Sequence, residues 1–354
     1  MTKQIWKALS LLQETGDSIT IKFDTMGSPF DYQPGQYIDL GFEWKGELLR
    51  RSYSLSSVPG LDENPAITVK RVEGGLVSSI LTGQPDSIKE WMIEGPFGQF
   101  TPGSSSKPAK HYVLLAGGSG ITPLYAIAKY LLHFSDATIT LVYASRNWES
   151  TIFGQELLYL SQSFSHRLKL LFALSAEKDE GLLPPQALFK GRLTRLALKK
   201  ILRPVLQENA DGSSEIFICG PQGLNEMGIE VMKELGVDES GIHLEWFNPV
   251  SIDPEEGELE DQQVLIHFYE QTNLLDVKAG QSILAAALGD RIPVSYSCQT
   301  GTCGRCAAKL VSGKVKMAAN YALNKDDLNA GLVLLCQAYP GDDQVTVSVN
   351  GVEA

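Results

Sequence analysis

The sequence lacks long hydrophobic runs, an excess of positive charge and repetitive segments. No apolar stretch approaches the roughly eighteen residues that cross a bilayer, and the N-terminus has no apolar core of a secretory leader. Lys and Arg number 30 against 42 Asp and Glu, a formal net charge of −12, which argues against a nucleic-acid partner. These absences predict a soluble, cytoplasmic chain of two or three globular domains, with no membrane or nucleic-acid partner.

Cysteine is also scarce, with five in the 354-residue chain, but four of the five follow one pattern. Cys298, Cys303, Cys306 and Cys336 give the spacing C-x4-C-x2-C-x29-C. A structural zinc site typically has two C-x2-C pairs, whereas Cys336 stands alone. A disulfide framework is not expected in a large chain without a leader. The spacing is that of a plant-type [2Fe–2S] cluster, so it predicts these four thiolates as the iron ligands.

The first segment, residues 1–103, reads as short strands separated by turns, which predicts a small antiparallel barrel. Within residues 50–57, alternation places Arg51, Tyr53 and Leu55 on one face and serines on the other. Such a strand could line a flat heteroaromatic ring, or it could be a solvated edge strand. Alternation by itself favours the edge strand.

A glycine pair, Gly74-Gly75, then opens a short predicted helix that contains Ser78. Backbone N–H groups at the start of a helix, with a nearby hydroxyl, form a binding site for an anion such as a pyrophosphate. A tight turn at residues 94–100 closes the segment.

Three motifs in this segment, R-S-Y-S at 51–54, G-L-V-S at 75–78 and G-P-F-G at 95–98, resemble the flavin domain of the ferredoxin–NADP reductase family. The G-x-x-S element favours FAD, because FMN has no second phosphate to be held there, although FMN stays open. The resemblance implies Arg51 at the FAD pyrophosphate, Tyr53 stacked on the isoalloxazine and Ser54 near its N5, with Val69 and Lys70 along the flavin and ribityl chain and Gly75, Leu76, Val77 and Ser78 at the pyrophosphate.

The second segment, residues 110–250, alternates strands with helical stretches, which predicts a doubly wound parallel sheet. A glycine turn at 117–123 links a buried strand to a helix, and a second one, C-G-P-Q-G-L, begins at Cys219. The first turn alone could be an ordinary strand–helix connection, because Pro123 takes the place of the third glycine of the dinucleotide fingerprint.

As a pair, the two turns resemble the nicotinamide-binding half of the same family. By that resemblance Cys219 lies beside the nicotinamide as a positioning contact, although it could equally be a small buried residue at a strand end. The implied nucleotide contacts are Gly117, Gly118, Ser119, Gly120, Thr122, Pro123, Cys219, Gly220 and Pro221.

Ser145 and Arg146 end the second strand of this sheet, where a site for NAD would carry an acid. An arginine there suits the 2′-phosphate of NADPH, whereas Glu149 and the absence of an arginine in Ser175–Glu177 weigh against it. The sequence favours NADPH only slightly.

Alternation in the last strand of the segment places Glu245 and Phe247 on one face. In similar reductases this strand brings an acid and an aromatic residue near the flavin, although plain strand packing would give the same pattern. Ser54, Cys219 and Glu245 are the predicted catalytic residues.

An acidic, proline-containing linker is predicted at 251–261, and residues 262–354 resemble a plant-type ferredoxin domain with a β-grasp fold. The complete order resembles the reductases of multicomponent oxygenases. That resemblance implies an NAD(P)H oxidoreductase in which a hydride passes to FAD and single electrons pass through the [2Fe–2S] cluster to a separate terminal oxygenase. A stand-alone diaphorase or flavin reductase, and a redox sensor or carrier without steady turnover, are the alternatives.

Overall fold

A computed structural model describes residues 3–103, 109–177, 188–209, 214–247 and 260–350. Contacts divide the chain into two compact units, Met1–Glu245 and Trp246–Ala354. Most of the predicted linker at 251–261 lies outside the described residues. Within the described ranges, no helix has both the length and the apolar character that a membrane crossing requires.

The first unit begins with a curled antiparallel sheet of six strands in the order β4-β3-β6-β1-β2-β5. A bridge between Leu55, which follows β4, and Ile67 of β5 joins the two edges of the sheet. Trp6, Phe23 and Trp91 are fully buried inside it. The elements are β1 (Gln4–Thr15), β2 (Ser18–Asp24), β3 (Tyr37–Trp44), β4 (Glu47–Ser54), β5 (Ala66–Lys70), α1 (Leu76–Gly83) and β6 (Trp91–Phe97).

The rest of the first unit is a parallel sheet in the order β10-β9-β8-β7-β11-β12, with an apolar core on each face. The chain runs outward from β7 through β10 and then returns to the other side of β7, so a topological switch point lies between β7 and β11. The elements are β7 (His111–Gly117), α2 (Ile121–Phe134), β8 (Thr138–Ser145), α3 (Gly154–Ser163), β9 (Leu168–Leu174), β10 (Leu188–Lys190), α4 (Arg195–Glu208), β11 (Ser214–Cys219), α5 (Gln222–Glu234) and β12 (Ile242–Glu245).

The second unit contains a mixed five-stranded sheet in the order β14-β13-β19-β15-β17, and buried residues of α6 belong to the same apolar core. The sequence pattern predicts one strand at 309–316, but the chain forms two strands there, because Gly313 turns it with a φ of +77°. The elements are β13 (Gln262–Phe268), β14 (Gln271–Val277), α6 (Ile283–Gly289), β15 (Ala307–Ser312), β16 (Val315–Met317), α7 (Lys325–Asn329), β17 (Leu332–Leu334), β18 (Ala338–Pro340) and β19 (Thr346–Ser348).

The predicted fold classes are confirmed for all three parts, and the differences are local. The sequence pattern predicts a helix over residues 152–164, but the helix begins at Gly154, because Phe153 adopts a left-handed backbone with φ +57°. The short strand β10 and the helix α4 were not predicted. At the end of the predicted linker, Asp261 is held by the ammonium group of Lys278 at 2.8 Å and by the Ala279 N–H at 2.9 Å.

Candidate functional site

The two glycine turns lie against each other at the switch point. A β-carbon on Gly117 would lie 2.5 Å from Leu224 and 2.7 Å from Pro221, and one on Gly120 would collide with the carbonyl group of Cys219. Only residues without a side chain allow this approach of the ends of β7 and β11. The structure therefore brings the two predicted nucleotide-binding turns together at the carboxyl edge of the sheet, where such folds bind ligands.

Side chains behind the first turn hold its shape. Gly118 has a φ of +54°, and its carbonyl oxygen accepts a hydrogen bond from the Tyr143 hydroxyl at 3.1 Å. The hydroxyl of Thr122 donates to the Ser119 carbonyl at 3.0 Å. The turn leads into α2, whose first N–H groups carry the positive end of the helix dipole. Tyr143 was not predicted, because hydroxyl-bearing residues recur along β8 and none of them stands out in the sequence.

The three predicted catalytic residues meet at one place. The Ser54 hydroxyl donates to Glu245 Oε2 at 3.1 Å, although 191 positions separate the two residues. Cys219 and Glu245 are paired neighbours in the parallel strands β11 and β12. All three residues are buried. Burial, with a smaller contribution from the Glu245 charge, raises the pKa of the Cys219 thiol well above its usual value. The thiol is therefore neutral.

The predicted flavin contacts lie on and beside β4 and β5. Leu55 and Val69 point into the barrel core and are fully buried, so only their backbone groups could reach a cofactor. Tyr53 is half-buried, and burial raises the pKa of its phenol, against the opposing charge of Arg51. Lys70 forms a 3.6 Å ion pair with Asp17.

The predicted pyrophosphate loop is a tight turn that ends at α1. Ser78 Oγ accepts a hydrogen bond from the Val72 N–H at 3.1 Å and donates to the Gly75 carbonyl at 3.4 Å. A β-carbon on Gly75 would lie 2.8 Å from that hydroxyl. The hydroxyl therefore shapes the loop, and the groups left for an anion are the first-turn N–H groups of α1, since no side chain caps this helix.

Ser145 and Arg146 lie at the end of β8, beside the end of β9. The Ser175 and Ala176 N–H groups donate to their carbonyl oxygens at 3.1 and 2.7 Å. Arg146 is exposed, whereas the carboxylate of Glu177 accepts a hydrogen bond from the Trp148 N–H at 2.8 Å. Phe247 is 40% exposed and belongs to the second unit.

In the second unit the four predicted ligands form two pairs. Cys298 and Cys303 hydrogen-bond each other through their thiols, and so do Cys306 and Cys336. Contact with Cys303 lowers the pKa of Cys298 to about 4, and contact with Cys336 lowers that of Cys306, which favours one thiolate in each pair.

This arrangement fits a binuclear cluster. Among the described residues, no three His, Cys, Asp or Glu side chains are placed to hold a single metal ion. A [2Fe–2S] cluster takes four cysteines, two for each iron, so two thiol pairs are the donor set that it requires.

Backbone N–H groups and one buried glutamine support this loop. The Thr300 N–H donates to Cys298 Sγ at 3.3 Å, and the Gly301 N–H donates to Cys336. The Gln337 amide, fully buried, donates to the carbonyl oxygens of Gln299 at 2.9 Å and Cys336 at 3.1 Å. Such bonds orient metal ligands and stabilise charge on the sulfurs. Gln337 was not predicted, and only its position beside Cys336 could have indicated it.

Family models match each of the three parts of the chain. An oxidoreductase FAD-binding domain matches residues 12–101, an oxidoreductase NAD-binding domain matches 114–228, and a 2Fe-2S iron-sulfur cluster binding domain matches 266–341. The chain therefore takes FAD, NAD(P)H and a [2Fe–2S] cluster.

Relatives align over nearly the whole chain. One component of the 1,2-phenylacetyl-CoA epoxidase from Escherichia coli (strain K12) is 32% identical over 347 residues, which cover 94% of this chain and 94% of the relative. The ferredoxin reductase component of 3-ketosteroid-9-alpha-monooxygenase from Rhodococcus rhodochrous is 31% identical over 353 residues, 96% of this chain and 94% of the relative.

A solved structure supports the same arrangement of the fold. Phthalate dioxygenase reductase, described as a modular structure for electron transfer from pyridine nucleotides to [2Fe–2S], covers 98% of both chains with a TM-score of 0.65 at 23% identity. With the whole-length relatives and the three domain matches, it places the chain in a family: this protein belongs to the ferredoxin–NADP reductase-type oxygenase reductases that carry a [2Fe–2S] domain.

Proposed function

We propose that this chain oxidises NAD(P)H and delivers the electrons, through FAD and a [2Fe–2S] cluster, to a separate oxygenase component. One observation carries the proposal: Ser54 of the flavin-domain motif donates to Glu245 of the nicotinamide domain, beside Cys219. Two half-sites predicted from distant parts of the sequence thereby form one buried site. FAD held there would supply the conversion of a two-electron hydride transfer into the one-electron steps that a [2Fe–2S] cluster requires.

On the flavin side, the residues of the chain bind and orient. Tyr53 offers a half-buried ring face for stacking, and Arg51 offers an exposed cation for the pyrophosphate. The first-turn N–H groups of α1 can also bind the pyrophosphate. The backbone groups of Leu55 and Val69, together with Lys70, would support the flavin ring and its ribityl chain. The fit to a second phosphate at residues 75–78 supports FAD over FMN.

On the nicotinamide side, the packed glycine turns let the pyrophosphate approach the backbone at the start of α2. The proposed contacts in these turns are Gly117, Gly118, Ser119, Gly120, Thr122, Pro123, Gly220 and Pro221. Cys219, neutral and buried, limits where the nicotinamide ring can lie. Ser54 Oγ can hold a proton at the reacting face, and Glu245 Oε2, 3.1 Å away, can accept it. Phe247 is a further proposed contact with the flavin.

NADPH is the proposed nucleotide, because Arg146 is exposed at the end of β8. The nearby carboxylate of Glu177, which follows β9, accepts a hydrogen bond from a backbone N–H. Losing a charged hydrogen bond to the 2′-phosphate costs about 1.5–3 kcal/mol, or roughly 10- to 100-fold. Arg146→Ala should lower kcat/KM for NADPH by that factor and leave NADH unchanged. Lys200→Ala, which removes an exposed cation of α4, is the control.

Cys298, Cys303, Cys306 and Cys336 are the proposed iron ligands, supported by their pairing. The acceptor is a protein partner with a basic docking face, in keeping with the net charge of −12. The two relatives are components of an epoxidase and a steroid monooxygenase, so the organic substrate belongs to the partner.

The domain boundaries 1–103, 110–250, 251–261 and 262–354 are supported by family matches that fall inside the three predicted domains. A cytoplasmic location is part of the proposal, because NAD(P)H and reduced thiols are available there.

The test is an anaerobic stopped-flow titration with NADPH and then NADH, following flavin bleaching and cluster absorbance together. Flavin reduction should precede cluster reduction. Ser54→Ala should slow the first phase on the order of 100-fold. Ser52→Ala is the matched control, because that hydroxyl donates instead to Asp39 at 2.7 Å. A flavin that neither nucleotide bleaches would refute the proposal and favour a sensor.

A further inference from the structure

Asn225 is a buried polar residue that connects two functional segments. It lies in the first turn of α5 and is fully buried. Its side-chain amide Nδ2 donates to the backbone carbonyl of Glu245 at 3.2 Å. Its backbone N–H donates to the carbonyl of Pro221, in the second glycine turn, at 3.1 Å.

The strand that ends at Glu245 is a short edge strand. β12 is four residues long and, within the described part of the chain, is the edge of the sheet and pairs with β11. Glu245 is its last residue, and the first unit ends there. The ends of short edge strands are the parts of a sheet that open most readily. A side-chain hydrogen bond to the Glu245 carbonyl therefore fixes the point from which its carboxylate reaches Ser54.

Packing alone does not account for an asparagine at this position. Its Oδ1 is buried and has no hydrogen-bond partner among the described residues. A buried polar atom without a partner is destabilising, so an apolar residue of the same size would fill the space with less cost. What asparagine supplies, and an apolar residue cannot, is the hydrogen bond from its Nδ2 to the Glu245 carbonyl oxygen.

We infer that Asn225 is a positioning residue for hydride transfer: it holds the end of β12 so that the Glu245 carboxylate stays in hydrogen-bond contact with Ser54. The inference rests on the proposed role of Glu245. It assigns Asn225 no contact with substrate or flavin.

The experiment uses Asn225→Leu, which keeps the branched shape of the side chain, although its methyl groups are larger, and removes the donor together with the unpaired oxygen. Because displacement of a catalytic group by about 1 Å costs roughly 100-fold, the rate of flavin reduction should fall about 10- to 100-fold. The dissociation constant for NADP⁺, measured by calorimetry, should change less than twofold. The midpoint of thermal unfolding should stay the same or rise.

A matched control lies in the same turn of α5. Glu226 is exposed and its carboxylate accepts a hydrogen bond from the Gln222 amide at 2.8 Å, so Glu226→Gln should leave the rate unchanged. Asn225→Ala removes the same donor without requiring the leucine to fit, and it should show the same slow reduction.

A double-mutant cycle with Glu245→Ala separates positioning from general structural damage. If Asn225 acts through Glu245, adding Asn225→Leu to Glu245→Ala should slow flavin reduction no further. Equal slowing in both backgrounds, or a normal rate in both Asn225 variants, would overturn the inference alone. A normal rate in Glu245→Ala would overturn the proposed role of Glu245 together with the inference.

Discussion

Replacing Gly120 by alanine tests how closely the two glycine turns are packed. The added β-carbon would collide with the Cys219 carbonyl group and lie 2.8 Å from the Gly220 nitrogen. Both obstacles are backbone atoms at the end of β11, so no side-chain rotation can relieve them. Overpacking typically costs about 1–3 kcal/mol, and we expect the upper end here. For a unit of this size, about 3 kcal/mol lowers the unfolding midpoint by roughly 6–12 °C.

The matched control is Gly223→Ala, in the first turn of α5. A β-carbon there would meet no atom within 4 Å, and alanine is the better helix former by up to about 1 kcal/mol. Its midpoint should therefore stay the same or rise. Differential scanning calorimetry of both variants and the unmodified protein makes the comparison. Equal midpoints for the two alanine variants would refute the inferred contact between the turns.

Three further outcomes are expected. Cys336→Ser should lose the visible [2Fe–2S] absorbance but keep FAD and direct ferricyanide reduction; a normal cluster spectrum would refute the ligand set. Burial, with the charge of Lys169, lowers the pKa of His111 to about 4 from 6.5, so between these pH values the unfolded chain binds a proton that the folded chain does not. Stability should therefore fall by about 2 kcal/mol between pH 7 and pH 5 in urea titrations, and His111→Gln should flatten this slope. Asp62→Asn should lower the unfolding midpoint by several degrees, because it leaves the buried ammonium of Lys129 without its 2.5 Å partner, whereas Lys129→Met should be nearly neutral.

Local patterns in the sequence were enough to predict the fold classes. The sequence pattern predicts a strand over residues 168–174, and β9 has these bounds, because a run of apolar residues between turns specifies a buried strand. The helix α4 was missed because its basic residues and Pro204 obscure the apolar stripe that buries Leu198 and Leu202. The strand β10 has three residues, too few for any periodic pattern.

The candidate site was predictable only as separate halves. Motifs identified Ser54 and Cys219, and alternation in the last strand identified Glu245, but their meeting depends on how a barrel packs against a parallel sheet. The spacing of the cysteines predicted four ligands, yet it could not say that Cys298 pairs with Cys303 and Cys306 with Cys336. Asn225 was not predicted, because an asparagine in a helix does not indicate a positioning role until the strand end opposite it is known.

The helix α2 connects nucleotide binding to the position of the flavin domain. Its N-terminus carries the first glycine turn, and its residue Lys129 is paired with Asp62 in the loop between β4 and β5 of the barrel. Phe100, after the last barrel strand, packs edge-on against Phe217 of β11 with ring centroids 5.1 Å apart. The strands that end at the two turns are thus anchored to the barrel on both sides of the switch point. The distance between the two glycine turns and the face presented by Ser54 is therefore set by domain packing.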